Sequence, residues 1–437
     1  MKTSIINARI LDPHSKTDRV GDVHIDQGHI KALGDAQAPF KADHVVDAKG
    51  LWLIPGLVDL SARVMEPGHE HEGMLASELF AAVAGGVTSM VCPPDTDPVL
   101  DEPGLVEMLQ FRAAHLHLAR LYPLGALTSS LQGVKLTEMG ALTQAGCVGF
   151  GQAEVPIKDT HVLTRALSYA STFGYSVWLH PKDAYLGSGV AASGALALRM
   201  GLSSVPTASE TIALNTIFAL MKSTGARVHL SRISSALGVE MVKEAKSQGL
   251  DLTCDVSINS LHLTEVDIGY FDSRARLAPP LRGDRDREAL RQALAQGVID
   301  ALVSDHHPVS GDLKALPFAE AQAGATGVEL LLSLALKWQQ EMGLSVLDGL
   351  SVVTSRPGAI LAEQSPVRSQ LEPGTLTVGG AADFCLFDPQ AHWQVVPHQL
   401  KSQGKHTPFD VDLTGMQLQG QVKSTWVQGR CVYEREL

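Results

Sequence analysis

The chain has no paired cysteines, no run of like charge and no long apolar stretch. Cys92, Cys147, Cys254, Cys385 and Cys431 stand singly, in odd number and without a CxxC pair. That excludes a disulfide framework and a cysteine zinc site, suits a reducing compartment, and leaves the thiols as small hydrophobes. The formal net charge of −12 comes without an acidic run and argues against non-specific nucleic-acid binding. No segment approaches the roughly 18 apolar residues of a membrane span. The N-terminal MKTSIINARI has neither the basic nor the apolar region of a secretory leader. A soluble, cytoplasmic protein without membrane or nucleic-acid partners is expected. No serine forms a GxSxG elbow, which excludes the usual covalent hydrolase signature, and AAVAGGVTS and VGGAAD lack the spacing of nucleotide loops.

What is present suits a well-buried globular core: 45 % hydrophobic and 19 % charged residues. Both ends read as β. VHIDQGHIKAL (23–33) alternates about a polar turn at Gly28, and WVQGRCVY (426–433) repeats the pattern about Gly429. Residues 1–54 and 370–437 are therefore expected to share one composite β-sandwich subdomain. Between them, 55–369 carries short apolar runs, each followed by a segment of helical spacing. The runs are LVDLSAR (57–63), VTSMVCP (87–93), RLYPLGAL (120–127), CVGFGQ (147–152), SVWLH (176–180), RVHLSR (227–232), LTCDVS (252–257) and ALVSDHH (301–307). Segments such as ETIALNTIFALMKSTG and DREALRQALAQG space apolar residues three and four apart and end in glycine. Eight strands alternating with helices predict an α/β fold, a (β/α)₈ TIM barrel.

Chemistry in such a barrel belongs at the C-terminal strand ends. Those ends hold Ser61 and Arg63, Cys92, Gln152, His180, Arg232, and Asp305 with His306 and His307. The set mixes plausible metal ligands with side chains that cannot bind a metal.

At these residues the sequence resembles the dihydroorotase family of the cyclic amidohydrolases, in particular its longer bacterial class. The likeness is carried by PGLVDL, EPG, AAVAGGVTSMV, LHPKD around His180, LTEVD, PPLRGDRDREAL, ALVSDHHPV, TPFDVDLTG and VKSTWVQGRCVY, in the family's order along nearly the whole chain. The resemblance implies two zinc ions, held by an HxH on the first strand, a bridging carboxylate after the fourth, a histidine on the fifth and on the sixth, and an aspartate on the eighth. It also implies a metal-generated hydroxide that opens a ring amide while that aspartate shuttles the proton.

Position by position, that apparatus is broken. The HxH is Ser61 and Arg63, the bridging-carboxylate region is Gln152 and Ala153 after Phe150 and Gly151, and the sixth-strand histidine is Arg232. His180 and Asp305 alone keep ligand chemistry, and Asp305 with His306 is the vestige of the catalytic end. The substrate positions are altered too: Met65 for an arginine, Asp95 and Ala278 for two asparagines. An arginine about 5 Å from a divalent ion costs roughly 6 to 7 kcal/mol at an effective dielectric of about 20. Without zinc, Asp305 is left as a buried carboxylate, so Arg63 or Arg232 is expected to pair with Asp305 or Asp59. His69, Glu70 and His71 in PGHEHEG offer two imidazoles on a loop without a third ligand, and read as solvated side chains.

The expectation is a non-catalytic dihydroorotase-like chain of pyrimidine biosynthesis, a pseudoenzyme with no confidently assigned catalytic, substrate or metal residues and no cofactor. By resemblance it is an oligomer built with the aspartate transcarbamoylase catalytic chain. The alternative is an active cyclic amide hydrolase with zinc on His180, Asp305 and a further ligand. A third reading is a metal-free sensor whose pocket is lined by Cys92, Met65, Asp95 and the arginines.

Overall fold

The computed structural model describes residues 2–34, 40–364 and 372–435; the subdomain boundary expected at 369/370 lies outside them. All eight apolar runs contain strands. They are Leu57–Asp59, Val87–Cys92, Arg120–Pro123 with Gly125–Ala126, Phe150–Gly151, Ser176–Leu179, Arg227–Leu230, Leu252–Ser257 and Ala301–Val303, called barrel strands 1 to 8. Neighbours pair in parallel, in registers such as Met90 with Leu121, Phe150 with Val177, Trp178 with His229 and Val256 with Leu302. Strands 1 and 8 meet at the Ala62–His306 bridge, and below it Val352 and Val353 fill the gap by accepting from Leu302 N and Val58 N, each at 2.9 Å. A closed barrel results.

Parallel strands covered on both sides are continuously apolar. Val58, Leu60, Val91, Leu124, Val148, Trp178, Ala301 and Val303 form one core with Ile360 and Leu361 of helix Ser355–Gln364. That helix closes the lower barrel, so only the C-terminal mouth is free for polar side chains. A second, larger core lies between strands and outer helices. Helix Thr160–Phe173 shows how sequence sets these helices. Val162, Leu163, Ala166, Leu167 and Ala170 make one buried stripe, Asp159 caps the first turn by accepting from His161 N, and Gly174 at φ 71° ends the last. The two segments predicted to end in glycine are helices Thr207–Thr224, stopped by Gly225 at φ 66°, and Asp284–Ala295.

Both chain ends share one eight-stranded sheet. Lys2–Asp12 pairs with Thr17–Asp26, His44–Asp47 and Trp52–Pro55, and the last of these pairs with Phe384–Gln394 from the C-terminal part. The sheet curls back, because Ile30 and Gly28 beside its far edge bond to Gly380 and Ala382, just before Phe384–Gln394. It encloses a small core of its own, including Ile10, Ile25, Leu53, Phe384 and Trp426. Its other side rests on the barrel: Thr425 Oγ1 donates to Val83 O at 2.6 Å, and Arg120 at the start of strand 3 forks onto Asp383. No helix among the described residues is long and apolar enough to cross a membrane.

Candidate functional site: an arginine–carboxylate network in the barrel mouth

At the strand ends the chain turns sharply, with left-handed backbone at Met65 (φ 58°), Ala153 (φ 48°), Arg232 (φ 58°) and Asp305 (φ 52°). Such conformations cost about 1–2 kcal/mol for a residue with a Cβ, so surrounding bonds must hold them. At Arg232 the holder is Asp255: its Oδ1 accepts from Arg232 N at 2.7 Å while its Oδ2 bonds His229 Nε2 at 2.9 Å. The strands beneath thus aim both Arg232 and Asp305 into the mouth.

The guanidinium of Arg232 donates through Nη1 to Asp305 Oδ1 at 3.0 Å and to Ala278 O at 3.1 Å, and through Nη2 to Glu154 Oε1. Arg63 meets the same Glu154 oxygen at 3.4 Å and binds Asp95 Oδ2 through Nη2 at 2.9 Å and Nε at 3.0 Å. Of the expected pairings, Arg232 takes Asp305. Arg63 takes Asp95, so the Asp95 charge is already neutralised. Asp59 lies below, fully buried, accepting from Ser61 N at 3.2 Å, Ser304 N at 3.2 Å and Ser304 Oγ.

Burial pushes the Glu154 carboxyl up, and Arg232 with Arg63 outweighs it and holds it far below the usual range. Burial lowers both guanidiniums, and their carboxylate partners more than restore them. Burial raises Asp305, with Arg232 offsetting only part. His180 is pushed down to about 4 by burial; its Nδ1 bonds Ser231 O at 3.0 Å and its Nε2 stands 3.9 Å from Glu154 Oε2. Burial also lifts the Cys92 thiol to about 12, so it is no nucleophile near neutrality.

His180, Asp305, Arg63 and Arg232 come together in the mouth; Gln152, His306 and His71 do not join them. Gln152 turns aside, accepting from Thr128 Oγ1 at 3.0 Å and donating to Leu131 O at 2.7 Å. His306 points to the opposite side of strand 8, where Nε2 lies 2.9 Å from Glu78 Oε2 and Nδ1 accepts from Gly327 N at 3.2 Å. It belongs to a fully buried structural pair. His69 and His71 have ring centroids 6.2 Å apart on a surface loop. Arg63, Met65, Cys92 and Asp95 do line one small cavity of about 200 Å³, with His69, Glu72 and His307. The central residue that the sequence did not single out is Glu154. Its signal was a carboxylate one position beyond Ala153, just past the bridging-carboxylate region.

The residues present do not fit a pair of divalent ions. Among the described residues no three His, Cys, Asp or Glu side chains gather to hold a metal. Asp305 Oδ1 and Glu154 Oε1 are taken by guanidiniums, whose charge repels a cation.

Two family models cover the chain, a dihydro-orotase-like model over residues 50–237 and the amidohydrolase family over 182–432. A dihydroorotase-like protein of Pseudomonas putida is 41 % identical over 437 residues, the full length of both chains. A dihydroorotase of Anaeromyxobacter dehalogenans is 35 % identical over 435 residues, covering 99 % of this chain and 98 % of the relative. Among solved structures, the L-hydantoinase (dihydropyrimidinase) from Arthrobacter aurescens superimposes with a TM-score of 0.85 at 24 % identity, over 99 % of this chain and 96 % of that one. The barrel with its appended β-sandwich is shared, and the sequence matches run end to end: the chain belongs to the dihydroorotase-like family of the amidohydrolases.

Proposed function

We propose that this chain is a catalytically inactive dihydroorotase-like protein, kept for what it assembles with, and that it supports the aspartate transcarbamoylase catalytic chain in pyrimidine biosynthesis. The observation that carries the loss of catalysis is the place of Arg232, whose single guanidinium joins Glu154 and Asp305. A cation there satisfies the buried carboxylates that a metal would otherwise satisfy. The second arginine, Arg63, strengthens the substitution by sharing Glu154 and neutralising Asp95. With His180 held neutral and Cys92 buried as a thiol, the mouth offers no activated nucleophile. The partner assignment rests on the family resemblance, in which inactive chains of this kind assemble with aspartate transcarbamoylase.

Metal content and dihydroorotate hydrolysis, measured on one sample purified without chelator or affinity tag, test the catalytic half. No stoichiometric metal and no turnover are expected; zinc near one equivalent with turnover means an active cyclic amide hydrolase instead. Co-expression with the aspartate transcarbamoylase catalytic chain followed by gel filtration tests the other half. Co-elution in a large complex is expected, and separate elution overturns the partnership.

A further inference from the structure

Beside the arginine network, with Glu154 in its wall, lies a second cavity of about 280 Å³, near the lower end of small-molecule sites at roughly 300–1,000 Å³. Two connections bring three cations to it: Lys182 after strand 5, and Arg276 and Arg282 between strands 7 and 8. Two carboxylates, Glu210 and Glu154, share the wall. Glu210 accepts from Ser234 N at 2.9 Å, Ser234 Oγ at 2.6 Å, Ser235 N at 3.1 Å and Ser235 Oγ at 2.5 Å. Glu154 Oε1 serves the two arginines, and its Oε2, without a hydrogen-bond partner, stands 3.9 Å from His180 Nε2.

The cations are not matched in return. None of the three is in an ion pair among the described residues, although neighbouring Arg274 holds both Asp272 and Asp410. Arg276 reaches only the carbonyl of Leu277, through Nη1 at 3.1 Å, and its Nε–H is buried without an acceptor. Arg282, itself 7 % exposed, uses Nε for Ser234 Oγ at 2.9 Å and Nη1 for Thr207 Oγ1 at 3.4 Å. Burial pulls the Arg276 guanidinium below its ordinary value with no carboxylate to counter it. A buried cation without a counter-charge costs several kcal/mol.

The wall is also rigid. A Cβ on Gly187 would lie 2.6 Å from the Lys182 stem, so glycine is what lets that side chain pass. Lys314 Nζ donates to the carbonyls of Ser273 and Arg276, each at 3.0 Å, and Gly324 N donates to the Arg276 carbonyl at 3.1 Å, fixing the loop.

We infer that this cavity is a binding site for a small phosphate-bearing molecule, held by Lys182, Arg276 and Arg282. A tetrahedral phosphate offers oxygens in several directions to two guanidinium forks and an ammonium from three places, whereas one arginine suffices for a planar carboxylate. The inference stands on charge and geometry and does not depend on whether the mouth is catalytic.

Pyrophosphate and succinate are the probes, titrated at low salt into the full chain by calorimetry. Pyrophosphate binds the parent protein. Lys182→Gln, on a half-exposed side chain that folding tolerates, and Arg276→Gln each weaken it about tenfold or more. Lys222→Gln, the same charge change on an exposed lysine at the far end of helix Thr207–Thr224, leaves the affinity unchanged. Arg276→Lys retains more affinity than Arg276→Gln. Three results overturn the inference: no pyrophosphate binding, equal weakening by Lys222→Gln, or succinate binding as tightly as pyrophosphate.

Discussion

Arg232 Nη1 lies 3.0 Å from Asp305 Oδ1, and the same guanidinium reaches across the barrel mouth to Glu154. One side chain therefore ties loops after strands 4, 6 and 8. Because Arg232 and Asp305 are buried and Glu154 is only partly exposed, the bonds matter mostly through what is left when one partner goes. Arg232→Met removes the charge at similar volume and leaves buried Asp305 and partly buried Glu154 without their shared cation. Urea unfolding should show a loss of about 3–5 kcal/mol. Adding Glu154→Gln to Arg232→Met should return part of it, a coupling of roughly 0.5–3 kcal/mol. Additive losses from the two substitutions would mean that they do not share one network.

The Glu78–His306 pair makes a different prediction. Glu78 sits on helix Leu75–Ala84, accepts from Ser402 Oγ at 2.6 Å and Gln403 N at 3.0 Å, and meets His306 just past strand 8. It joins helix, strand and a distant loop without facing the mouth. His306→Ala should cost about 1–3 kcal/mol in unfolding free energy, because the buried Glu78 carboxylate loses one of its donors. Metal content and dihydroorotate hydrolysis should not move. A change in either with stability intact would return His306 to the chemistry of the mouth.

How far the sequence spoke for this molecule follows from the range of each interaction. Strands such as Val87–Cys92 were legible because burial on both faces makes them unbroken apolar runs, and helices because glycine marks their ends. The loss of metal ligands at Ser61, Arg63 and Arg232 was legible because a side chain's chemistry needs no coordinates. Glu154 was not, since its role depends on three strand ends converging in space. His306 stands beside Asp305 in the sequence, but its true partner comes from a helix more than two hundred residues earlier, and no local pattern announces that. The strand order of the composite sheet is non-local in the same way.

Asp59 supplies a pH prediction. It is fully buried, and burial raises its carboxyl to about 6 despite the bonds from Ser304 and Ser61. The folded state therefore holds this proton more tightly than the unfolded chain does. No penalty exists below about pH 4; it develops as pH rises through about 4 to 6 and is complete above. Asp59→Asn keeps an oxygen for the two backbone donors and carries no charge. Relative to the parent, the variant should gain roughly 1–3 kcal/mol between pH 5 and pH 8. A stability difference that stays flat over that range would show that Asp59 does not titrate there.

The missing ligands should also be restorable. If the frame is inherited and only the side chains have changed, the backbone positions of Ser61, Arg63 and Arg232 still point where imidazoles would reach one ion together with His180 and Asp305. The triple variant Ser61→His, Arg63→His, Arg232→His supplies those imidazoles, removes both guanidiniums and frees Asp305. More than the three protein ligands of a catalytic zinc site would then be available. Zinc content after dialysis against the metal should rise from a trace in the parent to stoichiometric in the variant, and added zinc should raise its melting temperature while leaving the parent's unchanged. Arg63→Met with Arg232→Met is the control, since it removes the same charges without supplying ligands. Equal zinc uptake by that control would place the metal elsewhere, and no uptake by the triple variant would mean that the strand ends have moved as well as mutated.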